Sequence, residues 1–199
     1  MASMTSFDAI VLAGGRGRRL GGVDKAGLRV GDKTLLTRAL DAVAGASRQV
    51  VVGPPRSLPG GVVGVSEEPL GGGPVAGLAA GLAEIRQGLV VVMACDMPLL
   101  DRHVVSELVA VAVAAEAEAE HFDGVLLVDA EGRRQPLAAA YRSDSLRTAI
   151  NRLPGTRDAA VRALIAPLVL VELPAGPGAT LDCDTWEAVA RSRYLLEEA

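Results

Sequence analysis

A chain of 199 residues, half of them hydrophobic and 22% charged, is long enough for a sizeable core and too apolar to be disordered. A formal net charge of −4 argues against a surface that binds nucleic acid. No basic stretch leads an apolar run at the N-terminus, no apolar stretch approaches the roughly 18 residues of a membrane span, and Cys95 and Cys183 follow no zinc spacing. The expectation is one domain, residues 1–199, working in the reduced cytoplasm away from membranes and nucleic acid.

The first element is an apolar run over 7–12, a buried strand. It opens into LAGGRGRRLGGVDK, residues 12–25, where Gly14, Gly15, Gly17, Gly21 and Gly22 let the backbone turn and approach a ligand. Arg16, Arg18, Arg19 and Lys25 supply positive charge. A strand followed by a cationic glycine loop aims backbone N–H groups at phosphates. No Gly-Lys-Ser/Thr closes the loop, so it is not a P-loop, and Leu20 stands where a dinucleotide fingerprint needs its third glycine. Lys25 and Lys33 are the only lysines in an arginine-rich chain. A lysine kept inside the loop reads as a compact point charge for phosphate.

Residues 34–46 place Leu35, Leu36, Ala39, Leu40 and Val43 on one helical face. Short strands are expected at 49–52, ended by Gly53-Pro54-Pro55, and at 62–65. Pro74 suits the first turn of a helix ending at 82, and Gly73, Gly77 and Gly81 share one face for close packing on a sheet. The apolar run 89–94 reads as a central parallel strand buried on both faces, ending in Cys95-Asp96-Met97-Pro98. Parallel strands present their C-terminal ends on one edge, so Asp96 and the Gly15 loop should meet there. Asp101 reads as the N-cap of a helix reaching about 117, with Glu116, Glu118 and Glu120 at a solvated end. A strand at 125–128, a turn at 129–132 and a returning strand at 135–141 form a hairpin. Helices at 144–153 and 158–165, a strand at 168–172 and a loop at 174–178 follow. Thr185 caps a last helix. Alternating strands and helices imply an α/β fold with a mostly parallel sheet.

The 12–25 stretch resembles the signature LAGG-x-[SA]-x-R-[ML]-G-x-[x]-D-K of the molybdenum cofactor guanylyltransferases, the MobA-like nucleotidyltransferases. It matches at Leu12, Ala13, Gly14, Gly15, Arg19, Gly21, Asp24 and Lys25, with Gly17 in place of Ser or Ala. The run Gly73-Pro74-Val75-Ala76-Gly77 is similar to the family's GPL-x-G segment. Asp96 follows its strand as in the family's strand-x-x-D-x-P, and Asp182-Cys183-Asp184-Thr185 stands where the family has Asn-Val-Asn or Asp-x-Asp.

The resemblance implies a Rossmann-like three-layer sandwich of the nucleotide-diphospho-sugar transferase kind. It implies transfer of GMP from GTP to molybdopterin with Mg²⁺, and transient contact with cofactor-synthesis proteins and acceptor molybdoenzymes. Lys25, Arg19 and Asp96 would carry catalysis. Leu12, Ala13, Gly14, Gly15, Lys25, Glu68 and Asp96 would hold the nucleotide, and Asp96, Asp182 and Asp184 the metal.

Two positions depart from the family's pattern: Gly53 replaces an Asn, and Glu68 is the nearer equivalent of an Asp. Both lie near base or ribose in the family, so the choice of base stays open. A carboxylate at Glu68 can accept from guanine N1–H and N2–H₂. The alternatives are CTP with molybdopterin, GTP with phospholactate, and a non-catalytic nucleotide-binding module. Both cysteines are expected to be small buried residues.

Overall fold

The computed structural model describes residues 6–15, 18–68, 70–118 and 121–198. Arg16, Gly17 and Glu120 lie outside them, as does the side chain of Arg18. Nine strands appear in these residues: β1 Phe7–Leu12, β2 Arg29–Val30, β3 Lys33–Thr34, β4 Arg48–Val52, β5 Val62–Val65, β6 Leu89–Ala94, β7 Gly124–Val128, β8 Arg134–Arg142 and β9 Leu170–Pro174. The helices are α1 Leu35–Ala42, α2 Pro74–Leu82, α3 Arg102–Glu118, α4 Ser143–Asn151, α5 Val161–Ile165 and α6 Trp186–Glu198.

Seven strands form one sheet in the order β5-β4-β1-β6-β8-β7-β9. β1 runs parallel to β4 and β6, and β4 to β5, while β8 runs antiparallel to both its neighbours. β7 and β9 are parallel again, so β8 alone runs against the rest. The mostly parallel α/β sheet expected from the alternation is therefore the one observed.

Side chains on β1 alternate between two cores, as strand geometry requires. Ala9 and Val11 join Val51, Val91 and Met93 on the face covered by α1 and α3. Ile10 and Leu12 join Val50, Val52, Val90 and Val92 on the face covered by α2, α4 and α5. Helix, sheet and helix make three layers. A Cβ at Gly81 would lie 2.9 Å from Ile10 Cγ2, and one at Gly77 would lie 3.2 Å from Leu12 Cδ2. These glycines bring α2 down onto β1. A third cluster, Leu20, Val30, Leu35, Cys183 and Val189, fastens α6 to the short β2–β3 hairpin.

Three expected boundaries shift for identifiable reasons. α1 stops at Ala42 rather than 46, since residues 43–46 close into turns, with Ala46 N–H bonded to the Val43 carbonyl at 2.9 Å. α5 begins at Val161 rather than 158, because Asp158 adopts φ +53° and gives its N–H to the Gly72 carbonyl at 2.7 Å. β9 runs two residues later than expected and ends at Pro174. Its register is fixed at the other end by Asp123, whose N–H bonds the Val169 carbonyl at 2.9 Å. A proline is tolerated on that edge strand.

Candidate functional site

The C-terminal ends of β1 and β6 lie side by side, Leu12 in register with Ala94. The Cys95 N–H continues the ladder to the Leu12 carbonyl at 3.0 Å, so Gly14 and Asp96 emerge together from the same edge. There a cleft of about 890 Å³ opens, lined among others by Leu12, Gly14, Gly15, Arg19, Lys25, Asp96, Asp182 and Asp184.

Lys25 reaches the cleft from a single 3₁₀ turn, Lys25–Gly27, whose Ala26 is buried. The Gly27 and Leu28 N–H groups bond back to the carbonyls of Asp24 and Lys25 at 3.1 and 2.9 Å. Burying Ala26 turns the neighbouring lysine inward, where its side chain is only 12% exposed. Its Nζ donates to Asp96 Oδ2 at 2.9 Å and also to Asp184 Oδ1. Asp184 arrives from the segment before α6, which the Cys183 N–H ties to the Asp96 carbonyl at 2.9 Å. One backbone bond thus carries 182–184 to the end of β6.

Burial alone would lower the Lys25 pKa. Hydrogen bonds to Asp184 and Asp96 and their charge reverse that and hold the ammonium well above its ordinary range. Asp182 is shifted the other way. Burial, with the negative charge of Asp184 and Asp96, raises its carboxyl above the usual carboxylate value. Arg19, 75% exposed, lies 3.7 Å from Asp184 and can turn to a ligand at little cost.

Two carboxylates converging on one cation are hard oxygen donors of the kind that hold Mg²⁺, which takes one or two carboxylates and completes its shell with phosphate oxygens and water. The donor set fits such an ion at Asp96 and Asp184. It is not a three-carboxylate cage: among the described residues no group of three or more His, Cys, Asp and Glu side chains is arranged around a metal position. The Lys25 ammonium stands between two of the three, and Asp182 contributes wall and charge.

Of the nucleotide-binding set, Leu12, Gly14, Gly15, Lys25 and Asp96 line the cleft. Ala13 is buried behind it at 3% exposure. Glu68 is exposed and absent from the lining, and Glu67 faces the cleft instead. The Gly71 N–H bonds Glu67 Oε1 at 3.0 Å, folding that carboxylate inward and leaving the next residue in solvent. Asp101 and Thr185 act as the expected caps, accepting from the Val104 and Ala188 N–H groups at 3.0 and 3.2 Å. Cys95 and Cys183 are free and buried, and burial pushes the Cys95 thiol up to about 12, so neither is a nucleophile.

Sequence reasoning missed several residues here. Arg56 donates through Nη1 and Nη2 to the Asp24 carboxylate at 3.1 and 3.3 Å, and through Nη2 to the Ala13 carbonyl at 3.3 Å. It clamps the glycine loop from outside. Gly53 permits that closeness: a Cβ there would sit 2.8 Å from the Ala13 carbonyl oxygen. Gln135, Pro136, Leu137, Arg157, Asp158 and Val161 form the far wall. Nothing in their sequence pattern announces it, although the start of an antiparallel strand must return to this edge.

The sequence matches the MobA-like NTP transferase domain over residues 9–172. A molybdenum cofactor guanylyltransferase of Shewanella loihica is 28% identical over 146 residues, 71% of each chain. One of Cupriavidus metallidurans is 33% identical over 140 residues, 68% of each chain. A Mycobacterium tuberculosis protein crystallised in complex with manganese superposes with a TM-score of 0.71 at 22% identity, over 96% of this chain and 99% of that one. No described helix is long and apolar enough to cross a membrane.

Proposed function

The chain belongs to the MobA-like NTP transferase family, and on that premise we propose that it transfers GMP from GTP to the phosphate of molybdopterin with Mg²⁺, releasing pyrophosphate. The observation that carries the reading is the convergence of Lys25, Asp96 and Asp184 beside the glycine loop. The reaction makes a bond from an acceptor phosphate oxygen to the α-phosphorus of GTP and breaks the bond from that phosphorus to the bridging oxygen of the β-phosphate. The protein forms no covalent bond. It aligns two anions and offsets charge as pyrophosphate leaves.

Backbone N–H groups of Gly14 and Gly15 face the nucleotide, the Ala13 N–H being taken by the Val52 carbonyl at 2.7 Å, and Lys25 with Arg19 meets its phosphates. Glu67, rather than Glu68, presents a carboxylate that can accept from the guanine N1–H and N2–H₂ pair. Asp96 and Asp184 would hold Mg²⁺, which would supply Lewis-acid offset of phosphate charge. With its two aspartates so engaged, Lys25 would turn its ammonium to phosphate. The protein would work in the cytoplasm and pass the finished dinucleotide to acceptor molybdoenzymes.

The test incubates the protein with GTP or CTP, with molybdopterin or phospholactate, and measures pyrophosphate. GTP with molybdopterin should give product, and Asp96→Ala should abolish it while the fold persists by circular dichroism. Pyrophosphate from CTP but not GTP would overturn the guanine assignment. GTP binding that survives Asp96→Ala, with no turnover under any pairing, would favour a binding module.

A further inference from the structure

β8 is the one strand of the large sheet that runs backwards among the described residues, so its first residues return to the edge where the others end. Gln135, Pro136 and Leu137 line the cleft there, as do Met97, Arg157 and Val161. What Gln135 offers a ligand is decided one turn earlier. The carboxylate of Asp129, nearly buried, closes the β7–β8 turn. Its Oδ1 accepts from the Glu131 and Arg133 N–H groups at 3.1 and 2.8 Å. Its Oδ2 accepts from Arg133 Nε at 2.8 Å and from Gln135 Nε2 at 3.0 Å.

An ionised carboxylate only accepts. Burial opposes that ionisation, but the hydrogen bonds and charge of Arg133 hold the Asp129 carboxyl below its usual range. The amide nitrogen of Gln135 is therefore committed to Asp129, and its carbonyl Oε1 is the prong left over. Among the described residues no hydrogen bond reaches Oε1. The β8 end of the cleft, lined also by Leu137, Val161 and Arg157, thus presents one oriented acceptor.

We infer that Gln135 Oε1 accepts from the ring N–H edge of the pterin, its 2-amino group and N3–H, with Asp129 as the positioning residue that sets the amide's polarity. This deepens the proposed function and rests on molybdopterin being the acceptor. The nucleotide occupies the other side of the cleft, where Gly14, Val52 and Glu67 lie at the ends of β1 and β4 and after β5. β8 stands two strands from β1 across β6, about 9–10 Å at the usual strand spacing. That separation leaves room for an acceptor on the opposite side of the α-phosphate from the base. Guanine and pterin carry the same N–H edge, so the discriminating quantity is which substrate's KM moves.

The experiment compares the full chain with Gln135→Leu and Asp129→Asn in steady-state assays with GTP, Mg²⁺ and molybdopterin. Gln135→Leu should raise the molybdopterin KM about tenfold, leaving kcat and the GTP KM within about twofold, as loss of one hydrogen bond to bound substrate predicts. Asp129→Asn should raise the same KM by less, because the Asn carbonyl can still accept from Gln135 Nε2 and only the competing orientation, in which its amide donates to Oε1, turns the side chain over. A rise confined to the GTP KM, or no change in either KM, overturns the proposal. A second arm follows the fluorescence anisotropy of neopterin with an α,β-methylene GTP analogue present. Weaker binding by Gln135→Leu than by wild type supports the assignment; equal or absent binding overturns it. No turnover together with wild-type pterin binding that Gln135→Leu weakens would refute the transfer reaction while leaving the Gln135 assignment standing.

Discussion

Lys25 gathers most of the residue-scale argument into one atom. Its ammonium is shared by Asp96 and Asp184, and those carboxylates raise its pKa against the cost of burial. In the free protein it therefore stays charged at neutral pH, and in the working complex the triphosphate would take the carboxylates' place beside it, so no alkaline limb of the rate profile up to about pH 10 should belong to it. Removing it leaves two carboxylates facing each other and takes one point charge from the triphosphate. Lys25→Ala should lower kcat by about 10²–10³, the usual loss for one preorganised donor. Lys25→Arg should restore little, because a planar fork does not fit a slot shaped by two carboxylates around a single nitrogen. Steady-state kinetics on both variants check this, and a near-normal Lys25→Ala would remove it from catalysis. This residue was readable from the sequence, as a rare lysine inside a glycine loop. Its partnership with Asp184 was legible only in part, because the backbone bond from the Cys183 N–H to the Asp96 carbonyl that brings 182–184 to the end of β6 has no signal in the sequence.

At the scale of elements, the glycine loop owes its position to a neighbour the sequence did not advertise. Arg56 follows Gly53-Pro54-Pro55 and reaches back 32 and 43 residues, to Asp24 and the Ala13 carbonyl. Its side chain is only 15% exposed but the Asp24 carboxylate is 61% exposed, so the ion pair is screened like a surface one and the part-buried bond to the Ala13 carbonyl carries more of the clamp. Asp24, part of the signature, thus serves as an anchor for the loop instead of facing phosphate. Arg56→Gln should raise the GTP KM by roughly tenfold with kcat less affected, since a loosened loop binds nucleotide worse before it reacts worse. Equal GTP KM values in the two proteins would show that the loop holds its shape unaided. Gly53 belongs to the same argument. An Asn on this backbone would drive its Cβ into the Ala13 carbonyl, so the present closeness of the two segments depends on glycine at 53. The β2–β3 hairpin was overlooked for a different reason. Gly31-Asp32 is a recognisable hairpin turn, with φ +67° at Gly31, but its strands are two residues each, too short for any periodicity.

For the whole molecule, the parallel half of the sheet was legible because its strands are buried apolar runs between turn residues. β1, β5 and β6 begin and end where the pattern says. The antiparallel half was harder, since its order and register are set by polar side chains rather than by hydrophobic period. Two of these are carboxylates that titrate. Asp123 accepts from the Val169 N–H at 2.8 Å and lies 3.2 Å from His121 Nε2, joining the entries to β7 and β9. Asp129 closes the turn from β7 to β8. For each, burial raises the pKa and hydrogen bonding more than reverses it, so the folded value lies below the ordinary one. An acid whose pKa is depressed by folding stabilises the protein above its unfolded value, near 4, and that contribution disappears as pH falls through the folded value. Melting temperature should therefore hold level from pH 7 to about 5 and fall steeply below about 4. Asp123→Asn combined with Asp129→Asn should melt lower at pH 7 and show a flatter acid limb, because the groups that take up protons on unfolding are gone. Thermal scans from pH 7 to 3 decide the matter. Parallel curves for the two proteins would assign the acid sensitivity to other carboxylates and leave the antiparallel half held by its backbone ladder and core alone.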